Sequence, residues 1–169
     1  MSIGTPLTGE RLTVRDLVAD DVAPLIAMRR EPEIVKWWGR GKDDWPADMG
    51  PEDQLFAIVV DGELAGHIEM YEEIEDPDWR FVTLDIFVRP DLIGQGYGTE
   101  ALKLMIKYLS EERGHHRITI DPSADNEPAI RSYTKVGFEP VGVMRKYWRD
   151  GEGVWRDSLL MELIIESNL

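Results

Sequence analysis

Gly94, Gly96 and Gly98 alternate in the stretch IGQGYGTE, between an apolar run and a long amphipathic one. Residues without Cβ let an anion approach the main chain, and three of them in one turn are entropically costly unless something uses them. Their position sharpens the reading. A strand ending at Pro90 and a helix beginning at Thr99 would bring unpaired amide N–H groups and the positive end of a helix dipole together, which suits a phosphate. The residues alone leave the phosphate compound open. A dinucleotide fingerprint would carry glycine where Thr99 stands, and a mononucleotide loop would carry lysine after Gly98.

Carboxylates are the second group with chemical potential. Asp85 lies among Thr83, Leu84, Ile86 and Phe87 in a segment that reads as a central strand, where a lone carboxylate needs a cation or strong donors. Asp121 ends the next strand, so both should open into one cleft beyond the strand termini, although aspartate before proline is also an ordinary turn residue. Residues 61 to 85 carry nine carboxylates (Asp61, Glu63, Glu69, Glu72, Glu73, Glu75, Asp76, Asp78, Asp85) against Arg80, so this segment should attract cations.

The elements that must position these groups follow from periodicity. Glu10 to Arg15 alternates as a strand; Val22, Leu25, Ile26 and Met28 recur at helical spacing after Asp20 and Asp21, and a second helical piece ends at Trp37-Trp38-Gly39. Arg40 to Asp53 reads as a loop. Leu55 to Val60 and Leu64 to Tyr71 form a hairpin over Asp61-Gly62. A strand at Phe81 to Arg89, a helix at Thr99 to Arg113 and a strand at Arg117 to Asp121 predict a right-handed crossover joining two parallel strands. Asn126 caps a helix with Pro128 in its first turn, and Gly137 ends it. A strand from Phe138 to about Met144, a basic aromatic turn RKYWRDGEG and a strand from Val154 to Ile165 complete the chain. The expected architecture is a single α/β (α+β) domain over 1–169, a mostly antiparallel sheet of about seven strands with one parallel pair, flanked by about four helices.

The stretch VRPDLIGQGYGTEALKLM resembles the acyl-CoA-binding motif of the GNAT family of N-acetyltransferases, with Ile93 where the common form has Arg or Gln. DPSADNEPAIRSYTKVGFE is similar to the second half of the family pattern, and Asn126 and Tyr133, seven residues apart, fall two helical turns from one another. The resemblance implies that acetyl-CoA is held by Phe87, Val88, Ile93, Gly94, Gln95, Gly96, Tyr97, Gly98, Thr99, Asn126, Ala129 and Tyr133. It further implies that the Val88 N–H polarises the thioester carbonyl and that the Tyr133 hydroxyl protonates the departing thiolate. The catalytic pair would be Tyr133 and Asp85, the latter orienting an ammonium and receiving its proton.

Trp37-Trp38-Gly39, Asp121-Pro122-Ser123 and the run from Ala129 to Glu139 look like the aminoglycoside 6'-N-acetyltransferases. That resemblance implies an acceptor pocket of Trp38, Glu69, Tyr71, Asp85 and Asp121. In this sequence the segment between Tyr71 and Asp85 is shorter, and the hairpin around Asp150-Gly151 longer, than in those enzymes.

The remaining sequence features limit the alternatives. There is no cysteine, which removes disulfides, thiolate zinc sites and an acyl-cysteine route and leaves direct transfer in a ternary complex. His115 and His116 are adjacent and His67 stands alone, so no metal is expected. A formal net charge of −14 argues against nucleic acid. The amino terminus lacks the progression of a signal peptide and the apolar runs are too short to span a bilayer, so a cytoplasmic protein without a membrane partner is expected, as monomer or dimer. The leading expectation is acetylation of an aminoglycoside. Its competitors are the same chemistry on a protein amino terminus, polyamine or siderophore precursor, and a CoA-binding module without turnover.

Overall fold

The computed structural model describes residues 2–41, 45–46, 53–73 and 76–166. In chain order the elements are β1 (Leu7–Thr8), β2 (Leu12–Asp16), α1 (Ala19–Arg29), α2 (Pro32–Trp38), β3 (Asp53–Val60), β4 (Glu63–Glu73) and β5 (Phe81–Val88). They continue with α3 (Tyr97–Lys107), β6 (Arg117–Ile120), α4 (Glu127–Val136), β7 (Glu139–Arg149) and β8 (Trp155–Ile164). The strands form one sheet in the order β1-β2-β3-β4-β5-β6-β8-β7, with β5 and β6 the parallel pair among the described residues. The expected sheet, mostly antiparallel with one parallel pair and flanked by helices, is present, with β1 as an additional two-residue strand too short to show periodicity. The loop expected over residues 40 to 53 lies largely outside the described residues, as does Glu75.

Local chemistry explains the main junctions. Asp61 and Gly62 both take positive φ, 51° and 82°, the pairing a two-residue hairpin requires between β3 and β4. Asn126 Oδ1 accepts from the Ala129 N–H at 3.3 Å, so the N-cap of α4 forms as its sequence predicts. Apolar side chains of α3 (Ala101, Leu102, Met105) bury against Leu84, Ile68 and Ile118 of the sheet in the principal core. On the opposite face Leu25, Met28, Ile34 and Phe87 make a smaller cluster under α1 and α2. Alternation along β5 thus sends Leu84 and Ile86 to one face and Asp85 and Phe87 to the other.

Two expectations change. β7 does not stop near Met144 but runs on to Arg149 through a bulge: Met144 pairs with Ser158 and Trp148 with Arg156, so four steps on β7 match two on β8. Lys146, at φ 51°, sits in this bulge, and its amide donates to Asp157 Oδ1 at 2.8 Å. The reversal is instead made by Asp150, whose Oδ1 accepts from the Glu152 and Val154 amides at 2.9 Å each. The acidic segment is also less uniform than its sequence suggests. Glu72 turns inward to Arg113 and His115, each 2.5 Å away, and is unavailable to an external cation.

Candidate active site

The site begins where β5 and β6 part. Their register is Val82 with Ile118 and Thr83 with Thr119, and the two threonine hydroxyls share a hydrogen bond of 2.8 Å. β6 ends at Ile120 whereas β5 continues to Val88, so the far half of β5 has no neighbour on that edge. A cleft of about 760 Å³ occupies the gap.

The splay exposes a specific backbone donor. The Arg89 amide donates to Ala65 O on the β4 side at 2.7 Å. Amides alternate in direction along a strand, so the Val88 N–H points to the opposite edge, into the cleft that Val88 and Phe87 both line. An unpaired amide there can polarise a carbonyl.

Beyond β5 the glycine loop closes one end of the cleft. Gly94 and Gly96 take φ of 78° and 86°, conformations that favour glycine, and a Cβ on Gly94 would meet nothing within 4 Å. Gly96 is the N-cap of α3, and the first helical hydrogen bond runs from Glu100 N to Gly96 O at 3.0 Å. The amides of Gly96, Tyr97, Gly98 and Thr99 precede that bond and have no helical acceptor. These open amides at a helix start fit the diphosphate of an acyl-CoA. Ile93, Gly94, Gly96, Gly98 and Thr99 line the cleft. The Gln95 side chain turns back to Asp91 O at 2.6 Å and the Tyr97 ring lies under Arg11, and neither residue is among those lining the cleft.

Asn126, Ala129 and Tyr133 of the α4 region line the opposite wall. Burial, with Asp85 and Asp121 adding to it, pushes the Tyr133 hydroxyl well above its usual range, so it stays protonated.

Asp85, Asp121, Trp38 and Tyr71 line the same cleft. Burial drives the Asp85 carboxyl well above the ordinary carboxylate range, with Asp121 and Glu69 contributing repulsion and Arg29 opposing it. Asp121 is raised to about 6 by burial, against a hydrogen bond from Tyr147 that lowers it. Two crowded carboxylates favour a cationic guest. Glu69 pairs with Asp85 across β4 and β5 and lies 3.7 Å from His67 Nε2; it is not among the residues that line the cleft.

Trp37 lines the cleft beside Trp38, and so do residues that the sequence did not single out, notably Glu33, Thr83, Tyr147 and Trp148. Tyr147 and Trp148 reach the cleft through the β7 bulge, and the aromatic content of RKYWRDGEG was the available signal. Arg29 reaches the Gly39 and Trp38 carbonyls at 2.6 and 2.7 Å, its guanidinium 5.2 Å from the Trp38 ring, and so fixes that wall.

A family model described as an acetyltransferase (GNAT) domain matches residues 11–139. The chain is 26% identical over 159 residues to an aminoglycoside N(6')-acetyltransferase type 1 of Klebsiella pneumoniae, covering 81% of this chain and 78% of the relative. It is 29% identical over 119 residues to an N-alpha-acetyltransferase of Sulfurisphaera tokodaii, covering 62% and 67%. The fold superimposes with a TM-score of 0.79 on a spermidine N-acetyltransferase of Vibrio cholerae solved with CoA and spermine, at 19% identity and covering 92% and 96% of the two chains. With the family match spanning most of its length, the chain belongs to the GNAT family of acetyltransferases.

Proposed function

We propose that this acetyltransferase moves the acetyl group of acetyl-CoA to the 6'-amino group of an aminoglycoside, directly and within one ternary complex. The observation that carries the reading is the meeting, in one cleft, of an amide-lined glycine loop with Asp85 and Asp121 between aromatic walls. Sugar rings stack on such walls and ammonium groups pair with such carboxylates.

Each residue has a separate task. The amides of residues 96 to 99 hold the diphosphate, and Asn126 and Ala129 guide the pantetheine arm. Val88 N–H polarises the thioester carbonyl. Asp85 orients the acceptor ammonium and takes its proton, directly or through water; its raised affinity for protons brings it nearer to an amine. The freed nitrogen attacks the carbonyl carbon and a C–N bond forms; the C–S bond breaks, Tyr133 donates its proton to the leaving sulfur, and the second proton that the nitrogen sheds on becoming an amide returns to the Tyr133 oxygen, directly or through water. With no cysteine in the chain to carry the acetyl group, a single transfer step suffices.

The same carboxylate pair would also hold a protein amino terminus or a polyamine, the latter the acceptor class named for one of the similar proteins. NMR analysis of the product from a kanamycin-type acceptor decides the regiochemistry. Acetyl on the 6'-nitrogen supports the proposal, and acetyl at another amine contradicts it.

A further inference from the structure

We infer that Arg11, immediately before β2, is a positioning residue for the coenzyme diphosphate, holding the glycine loop in its binding conformation from outside the loop. This rests on the reading of that loop as the diphosphate site. Ile93 occupies the place where a polar side chain is common in the family motif, so position 93 itself offers the loop no hydrogen bond from its side chain. Arg11 reaches it from 84 residues upstream.

Its guanidinium is engaged on three sides. Nη1 donates to the Gln95 carbonyl at 2.9 Å, Nε donates to Glu100 Oε2 at 2.8 Å, and the group stacks 4.5 Å from the Tyr97 ring centroid. The backbone amide of Arg11 also donates to Glu100 Oε1 at 2.9 Å. Nη2 would be 3.2 Å from a Cβ on Gly96. One arginine thus touches the residue before the N-cap and the first turn of α3, and closes the space beside the N-cap.

The bond to Gln95 has a directional consequence. A trans peptide is planar, with its C=O and N–H pointing opposite ways. Gln95 O and Gly96 N–H belong to the same peptide. Holding the carbonyl outward against Arg11 therefore turns the Gly96 N–H inward, toward the cleft that Gly96 lines. Gly96, in the left-handed region at φ 86°, could otherwise rotate at little expense. Arg11 removes that freedom before the coenzyme arrives.

The test is calorimetric binding of CoA to wild type, Arg11→Met and Arg11→Lys, with melting temperature and the KM for the amine measured alongside. The inference expects Arg11→Met to weaken CoA about tenfold, the scale of one charged hydrogen bond, while the amine KM stays within about twofold. Arg11→Lys keeps the charge but lacks the fork that spans Gln95 and Glu100, so it should stay at least about threefold weaker than wild type. In wild type the Gly96 amide resonance should shift on CoA addition, and in either variant it should shift less. Unchanged CoA affinity in Arg11→Met overturns the inference. So does an amine KM that worsens by the same factor as CoA affinity, which would mean general loosening. Failure of wild type to bind CoA would instead remove the loop reading itself.

Discussion

A Cβ on Gly66 would lie 2.2 Å from the carbonyl oxygen of Phe87, so these two residues meet backbone to backbone across β4 and β5. Gly66 also sits opposite Val88, whose amide is assigned to the thioester carbonyl. Gly66→Ala must push β5 away where the donor is presented. The expected result is a loss of about 2–4 kcal/mol, or roughly 5–12 °C in melting temperature, together with a fall in kcat. Thermal unfolding and steady-state kinetics measure both, and a variant with wild-type values would show that the backbone contact is not rigid.

Tyr133→Phe removes a hydroxyl whose proton is firmly held by burial and by the neighbouring Asp85 and Asp121 carboxylates. If that proton goes to the leaving sulfur, kcat should drop on the order of 10²-fold, while CoA affinity stays within about twofold. Equal losses in both would make Tyr133 a packing residue against Phe138, whose ring lies 6.3 Å away.

Where sequence and structure agree, the signals are local. Asn126, Gly137 and the Asp61-Gly62 pair each set a junction by their own backbone chemistry, and the glycine loop announced itself by composition. What remained hidden depends on distant partners. Glu72 is withdrawn from the acidic segment by Arg113 and His115, more than 40 positions away. Tyr147 enters the cleft because of a bulge whose partner strand is β8, and nothing in RKYWRDGEG distinguishes a bulged strand from a turn. Arg11 supports a loop it does not adjoin, which a motif confined to residues 93 to 99 cannot reveal.

The carboxylates give a pH dependence with a definite sign. Asp121 is raised from 3.8 to about 6 in the folded protein, so between those values the native state holds a proton that the unfolded chain releases. Stability of the free enzyme should therefore decline as pH rises through that window, and Asp121→Asn should remove this part of the decline. Affinity for a cationic acceptor should change the opposite way, improving as Asp121 ionises above about 6. Acceptor KM from pH 5 to 8, for wild type and Asp121→Asn, checks this. A wild-type KM that is flat with pH would separate Asp121 from the acceptor.

Asp85→Asn tests the adjacent role. The amide cannot take the ammonium proton, so kcat/KM for the amine should fall about 10²-fold or more, with CoA affinity retained. The loss should shrink at high pH, where free amine is supplied by solution. A uniform loss at all pH values would assign Asp85 to acceptor binding alone.

The central claim is that this cleft brings acetyl-CoA and an aminoglycoside amine together for transfer. Its most direct test is release of free thiol from acetyl-CoA, comparing kcat/KM for kanamycin-type aminoglycosides, spermidine and peptides with free amino termini. The account predicts thiol release with the aminoglycosides at a kcat/KM at least about tenfold above the other two classes, in line with sugar-ring stacking that those acceptors lack. Release with spermidine or peptides alone, or with no acceptor at all, would contradict it.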